Sequence, residues 1–118
     1  MDDEEVVLNV AKKMIMALGH DVEQATDGES AVEKYRQAFT SKNPFDIVIL
    51  DLTIKGGMGG DETVKRLLAL DPNVKAVVAS GYSDNPVLSD FQNHGFYTVL
   101  SKPYSLAALR DCLSSMVN

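Results

Sequence analysis

The hydrophobic pattern of this chain alternates between two kinds of segment. Phe45 to Leu50 is apolar except for Asp46, and the run ends on Asp51. No polar residue interrupts Ile47-Val48-Ile49, so both faces of this strand need cover. A strand inside a parallel sheet flanked by helices has this character. Val74 to Ala79 gives another such strand ending at Ser80, and Phe96 to Leu100 another ending at Ser101-Lys102-Pro103. A weaker strand is predicted at His20 to Ala25. Between them lie segments of helical period. Val7, Val10, Met14 and Leu18 predict a first helix that stops at Gly19. Val32, Tyr35 and Phe39 predict a second, capped near Asp27 and running to about Thr40. Val64, Leu67 and Leu68 mark a third, from about Asp61 to Leu70, broken by Asp71-Pro72-Asn73. Ser83 can cap a fourth with Pro86 in its first turn, and Gly95 ends it. Leu106, Leu109, Leu113 and Met116 make the last. The order α, β, α, β, α, β, α, β, α implies an α/β fold, one parallel sheet with helices on both faces.

Composition narrows the function. The 118 residues fit one domain, spanning 1–118. A net charge of -6 argues against a surface that neutralises nucleic-acid phosphates. One cysteine and two histidines give neither an internal disulfide nor a zinc set. No apolar run is long enough to cross a membrane and no secretory signal is present, so a reducing cytoplasm is the expected location. The loop Gly56-Gly57-Met58-Gly59-Gly60 lacks the Lys-Ser/Thr ending of a P-loop and the spacing of a dinucleotide fingerprint.

Candidate chemistry gathers where strands end, the rim on which open α/β sheets place their ligands. The acid pair Asp2-Asp3, Asp51, Ser80 and Lys102 all fall there. Clustered carboxylates bind a hard divalent cation such as magnesium. A carboxylate can also accept a phosphoryl group as nucleophile. Lysine offers a compact positive charge to phosphate oxygens, and a serine hydroxyl one more donor. Taken singly, Asp51 and Ser80 are ordinary turn residues, and Lys102 an ordinary surface charge before a proline. Their convergence on one rim gives the functional reading its weight.

The residues Asp2-Asp3-Glu4-Glu5, Asp27-Gly28, Phe45 to Asp51, Gly57-Met58-Gly59-Gly60, Ala79-Ser80-Gly81 and Lys102-Pro103 together resemble the receiver domain of two-component signalling. The resemblance covers essentially the whole chain, and the segment after Asp51 is similar to receivers of hybrid sensor histidine kinases. It implies a flavodoxin-like fold and a His-to-Asp phosphorelay. Asp51 would take the phosphoryl group from a histidine kinase or phosphotransfer domain. Asp2, Asp3, Asp51 and the backbone carbonyl of Thr53 would hold magnesium. Ser80 and Lys102 would contact the phosphorylated aspartate and switch an interaction face. The implied role is signalling rather than turnover, with no direct contact to nucleic acid or membrane.

Three departures from the family stand out. Receivers place a buried strand before the acid pair, central in the order 2-1-3-4-5, and here only Met1 precedes Asp2. Losing that strand removes side chains worth about 1.5–3 kcal/mol each from a domain stable by about 5–15 kcal/mol. A homo-oligomer or a rearrangement is therefore expected. The second and third strands could pair directly, Val6 to Val10 could leave the helix to fill the slot, or another chain could cover it. Val99 stands where receivers often carry an aromatic switch residue, and Tyr97 lies two positions too early. Lys55 stands where proline is common, with little effect expected on chemistry. The competing function is an interaction or dimerisation module that is not phosphorylated. An aspartate-nucleophile phosphatase is disfavoured, since its second Asp is replaced by Thr53.

Overall fold

The computed structural model describes residues 1–81 and 85–116. In chain order come helices α1 (Glu5–Ala17) and α2 (Gly28–Thr40), then strand β1 (Val48–Asp51) and helix α3 (Gly60–Leu70). Strand β2 (Ala76–Ser80), the short helix α4 (Pro86–Ser89), strand β3 (Thr98–Ser101) and helix α5 (Leu106–Met116) follow. The strands form one parallel sheet in the order β1-β2-β3. Asp51 pairs with Ala79, and Ser80 with Ser101. The carboxyl ends of all three strands therefore reach one rim.

Every residue of β2 is buried, as its central place requires. On one face Tyr35 of α2 and Val64 and Leu67 of α3 pack with Leu50, Ala76, Val78 and Phe96. On the other, Leu109 and Met116 of α5 pack with Val77 and Leu100, joined by Met14, Ile15 and Leu18 at the end of α1. The Asp27 carboxylate caps α2 by accepting from the Ser30 N–H at 2.8 Å. Gly19 follows α1 at φ +92, the left-handed turn expected after a helix. Two apolar stripes differ from the expectation. The buried face of α1 is led by Leu8, two turns before Ile15, and Val10 is 44% exposed. In α5, Leu106 is exposed at the first turn while Leu109, Leu113 and Met116 carry the core. The predicted cap Ser83 lies outside the described residues, and Asn85 caps α4 instead, accepting from the Val87 N–H at 2.9 Å.

The predicted strand at residues 20–25 is not formed, which leaves three strands among the described residues instead of four. A strand is a property of a pair, and this segment has almost no partner. Its neighbour is Met1. The Met1 nitrogen donates to the Ile49 carbonyl at 2.6 Å, and the Asp51 N–H donates to the Met1 carbonyl at 2.9 Å. The Asp2 N–H then donates to the Ala25 carbonyl at 3.1 Å. Neither intrachain rearrangement takes place. Residues 20–25 do not pair with β1, and Val6 to Val10 stay in α1. The helix holds because Glu5 sits in its first turn, where the dipole favours an anion. The Asp2 carboxylate also accepts from the Glu4 N–H at 3.0 Å just before the helix.

Candidate functional site

Asp51 is the last residue of β1 and is 5% exposed. Beside it, Lys102 follows β3 and directs its ammonium across the rim. Lys102 Nζ donates to Asp2 Oδ2 at 2.8 Å and lies 3.3 Å from Asp51 Oδ2. Asp2 is buried as deeply as Asp51. Two buried carboxylates are thus held by one cation, whose charge partly offsets the desolvation of each. Burial, reinforced by the negative charge of Asp2, raises the Asp51 carboxyl above its ordinary value, and the Lys102 ammonium opposes the rise. Burial alone would lower the Lys102 pKa. The hydrogen bond to Asp2 and the charges of both carboxylates outweigh it and raise the value.

Ser80 closes β2 next to this group and is buried. Its carbonyl accepts from the Lys102 N–H at 3.1 Å, which ties β3 to β2 where the lysine leaves the sheet. The acid pair divides. Asp2 turns inward to Lys102, while Asp3 accepts from the Lys55 N–H at 3.1 Å. Carboxylate oxygens of Asp2, Asp3 and Glu4 lie within 4.8 Å of one another. Glu4 was not among the expected metal ligands, and Asp51 stands outside that trio. Thr53 is exposed in the loop after β1.

The glycine loop folds over the end of β1. The Gly60 N–H donates to the Leu52 carbonyl at 3.2 Å. A Cβ on Gly60 would come within 2.7 Å of the Asp51 carbonyl oxygen, and one on Gly59 would overlap the Leu52 carbonyl. Only glycine lets α3 begin this close to the strand end. The run of glycines in the sequence carried that signal without showing which backbone it approaches. Lys55 stood out in the sequence only as a departure from a common proline, with little effect expected on chemistry. Its N–H holds Asp3, and a proline there would have no N–H to give.

The description "Response regulator receiver domain" matches residues 1–114. The chain belongs to the response regulator receiver family. It is 28% identical over 117 residues to the chemotaxis protein CheY of Thermotoga maritima, covering 98% of this chain and 92% of that one. It is 31% identical over 118 residues to the autoinducer 1 sensor kinase/phosphatase LuxN of Vibrio campbellii, covering all of this chain but 13% of LuxN. Its fold is similar to that of a chain in the CheX-CheY-BeF3-Mg2+ complex of Borrelia burgdorferi. The TM-score there is 0.86 at 27% identity, over 99% of this chain and 86% of the other. As a receiver, the chain is a signalling module of two-component systems, homologous to phosphorelay acceptors. The fold is the flavodoxin-like fold of receivers, and Met1 bonds β1 on the edge away from β2. At the switch position, Val99 packs partly buried against the core, while Tyr97 is exposed.

Proposed function

We propose that Asp51 is the phosphoacceptor of this receiver, charged by the phosphohistidine of a histidine kinase or phosphotransfer domain. The observation that carries this is the buried Asp2–Lys102–Asp51 bridge at the strand ends. A carboxylate oxygen of Asp51 forms the new O–P bond as the P–N bond to the donor imidazole breaks, and the imidazole nitrogen regains a proton from solvent. Little covalent chemistry is needed beyond positioning and charge neutralisation. Lys102 already stands within reach of Asp51, and it turns to the phosphoryl oxygens once the carboxylate is esterified. Ser80 supplies a hydroxyl to another of those oxygens.

The acidic cluster fits a hard cation, since it offers carboxylate oxygens and no nitrogen or sulfur. Asp2, Asp3, Asp51 and the Thr53 carbonyl would hold magnesium, with Glu4 alongside. When bound, it would neutralise charge on the transferred group. The domain spans 1–118 and acts in the cytoplasm as a switch rather than a turnover enzyme. Among the described residues no helix is long and apolar enough to cross a membrane. The non-phosphorylated module is disfavoured, because nothing in such a role asks for a lysine shared by two buried acids.

Incubation with a small phosphodonor and magnesium, read by intact mass, tests the proposal. One phosphoryl mass is expected, lost in Asp51→Asn and on chelation with EDTA. An unmodified parent chain, or a gain that survives Asp51→Asn, overturns it.

A further inference from the structure

The loop between β1 and α3 carries the Thr53 carbonyl and the Lys55 N–H, which holds Asp3 at 3.1 Å. Its far end is clasped by two helices. The Met58 carbonyl accepts from the Gly28 N–H, at the start of α2, at 3.2 Å. The next carbonyl, that of Gly59, accepts from the Thr63 N–H of α3 at 3.0 Å and from the Thr63 hydroxyl at 2.7 Å. No volume is spare where these parts meet. A Cβ on Gly28 would overlap Thr63 Oγ1, and it would come within 2.8 Å of the Met58 carbonyl oxygen and 2.9 Å of the Met58 sulfur. Thr63 and Met58 are both buried. Gly59 in turn lies against the backbone on either side of Thr53. A Cβ on it would overlap the Leu52 carbonyl and stand 3.7 Å from the Ile54 nitrogen. Gly56, by contrast, faces open space, with nothing within 4 Å of its own Cβ position.

We infer, on the magnesium assignment proposed above, that Gly28 and Thr63 are positioning residues for the cation. Neither touches it. Gly28 fixes Met58 and Thr63 fixes Gly59, and Gly59 presses on the backbone that presents the Thr53 carbonyl and, two residues on, the Lys55 N–H. A hard cation asks its oxygen ligands to stay at set distances, and the groups behind the ligands often decide how tightly it is held. The tip at Gly56 has no packing of its own to restore the loop once this clasp shifts. A side chain on Gly28 has no room except by pushing the Met58 carbonyl or moving the first turn of α3, because the atoms it meets include backbone. Gly28 thus reaches the acidic rim through hydrogen-bonded backbone, although it belongs to a helix that supplies none of the site's side chains.

The test compares the parent with Gly28→Ala, Thr63→Val and Leu109→Ala, the last a core truncation on the other face of the sheet. Thr63→Val keeps the branched shape and removes only the hydroxyl bond to Gly59, so it carries the test if Gly28→Ala does not fold. Amide exchange is read on metal-free protein, and magnesium affinity by calorimetry. Both loop variants are expected to exchange the Lys55 and Gly60 amides at least about fivefold faster than the parent. They are expected to bind magnesium about tenfold more weakly. Leu109→Ala should lower the unfolding temperature at least as much while leaving both readouts near the parent. Loop variants that lose stability yet match Leu109→Ala in exchange and affinity overturn the inference, since Gly28 and Thr63 then only close the helix packing. A parent that binds no magnesium overturns it as well. A parent that binds magnesium but gains no phosphoryl mass fails the phosphoacceptor reading alone, and exchange and affinity still decide the role of Gly28 and Thr63.

Discussion

Lys102 donates to Asp2 at 2.8 Å and stands 3.3 Å from Asp51, so its removal strands two buried carboxylates at once. Lys102→Met should cost about 3–5 kcal/mol, the usual penalty for breaking a buried charge pair from one side. Denaturant unfolding at neutral pH measures it. Adding Asp51→Asn to that variant should restore part of the loss, since one orphaned charge is removed. Asp51→Asn alone should act in the opposite sense. The folded state holds the Asp51 proton more tightly than the unfolded state, whose carboxyl titrates near 3.8. Folding therefore loses stability as pH rises from that value through the raised folded pKa, and the penalty is complete above it. At neutral pH the asparagine variant should unfold at a higher temperature than the parent. The difference should shrink as pH falls through the carboxylate range. A variant less stable than the parent at pH 7 would show that the Lys102 contact outweighs burial and the repulsion from Asp2.

Loops and caps decide what the strand ends can do. The turn after β1 supplies a backbone donor to Asp3 at Lys55 and close glycine packing at Gly59 and Gly60. Lys55→Pro keeps a residue suited to a turn but deletes the N–H. Magnesium affinity measured by calorimetry should fall several-fold, with thermal stability nearly unchanged. Unchanged affinity would mean that Asp3 is held well enough without that bond. The sequence made the three strands and most helices legible because buried strands read as unbroken apolar runs and amphipathic helices as a 3.6-residue period. It also gathered Asp51, Ser80 and Lys102, since each follows directly from where a strand stops. It did not show that residues 20–25 stay irregular, because their partner, not their own composition, makes a strand. Nor did it separate Leu8 from Val10, both apolar on neighbouring lines of α1. The sharing of Lys102 by Asp2 and Asp51 joins positions 100 residues apart on one side of the bridge, beyond local pattern.

Across the whole molecule, the rim and the outer edge of β1 meet at Met1 and Asp2. Asp2 binds Lys102 through its side chain and Ala25 through its backbone, while Met1 bonds both neighbours of Leu50 on β1. The register of Met1 and Asp2 therefore places one of the site's two buried acids. Helices on both faces keep β2 dry and fix the spacing of the strand ends, so the placement of Asp51, Ser80 and Lys102 rests on the sheet rather than on the loop alone. Val99 stands where receivers often carry an aromatic switch residue, and it is packed partly buried against the core. The central claim is that Asp51 takes the phosphoryl group. Tandem mass spectrometry of the chain after reaction with a phosphodonor and magnesium, with the acyl phosphate trapped by borohydride reduction, locates it directly. The reduced residue should appear at Asp51. Its appearance at Asp2, Asp3 or Glu4, or an intact phosphate ester on Ser80, would contradict the assignment.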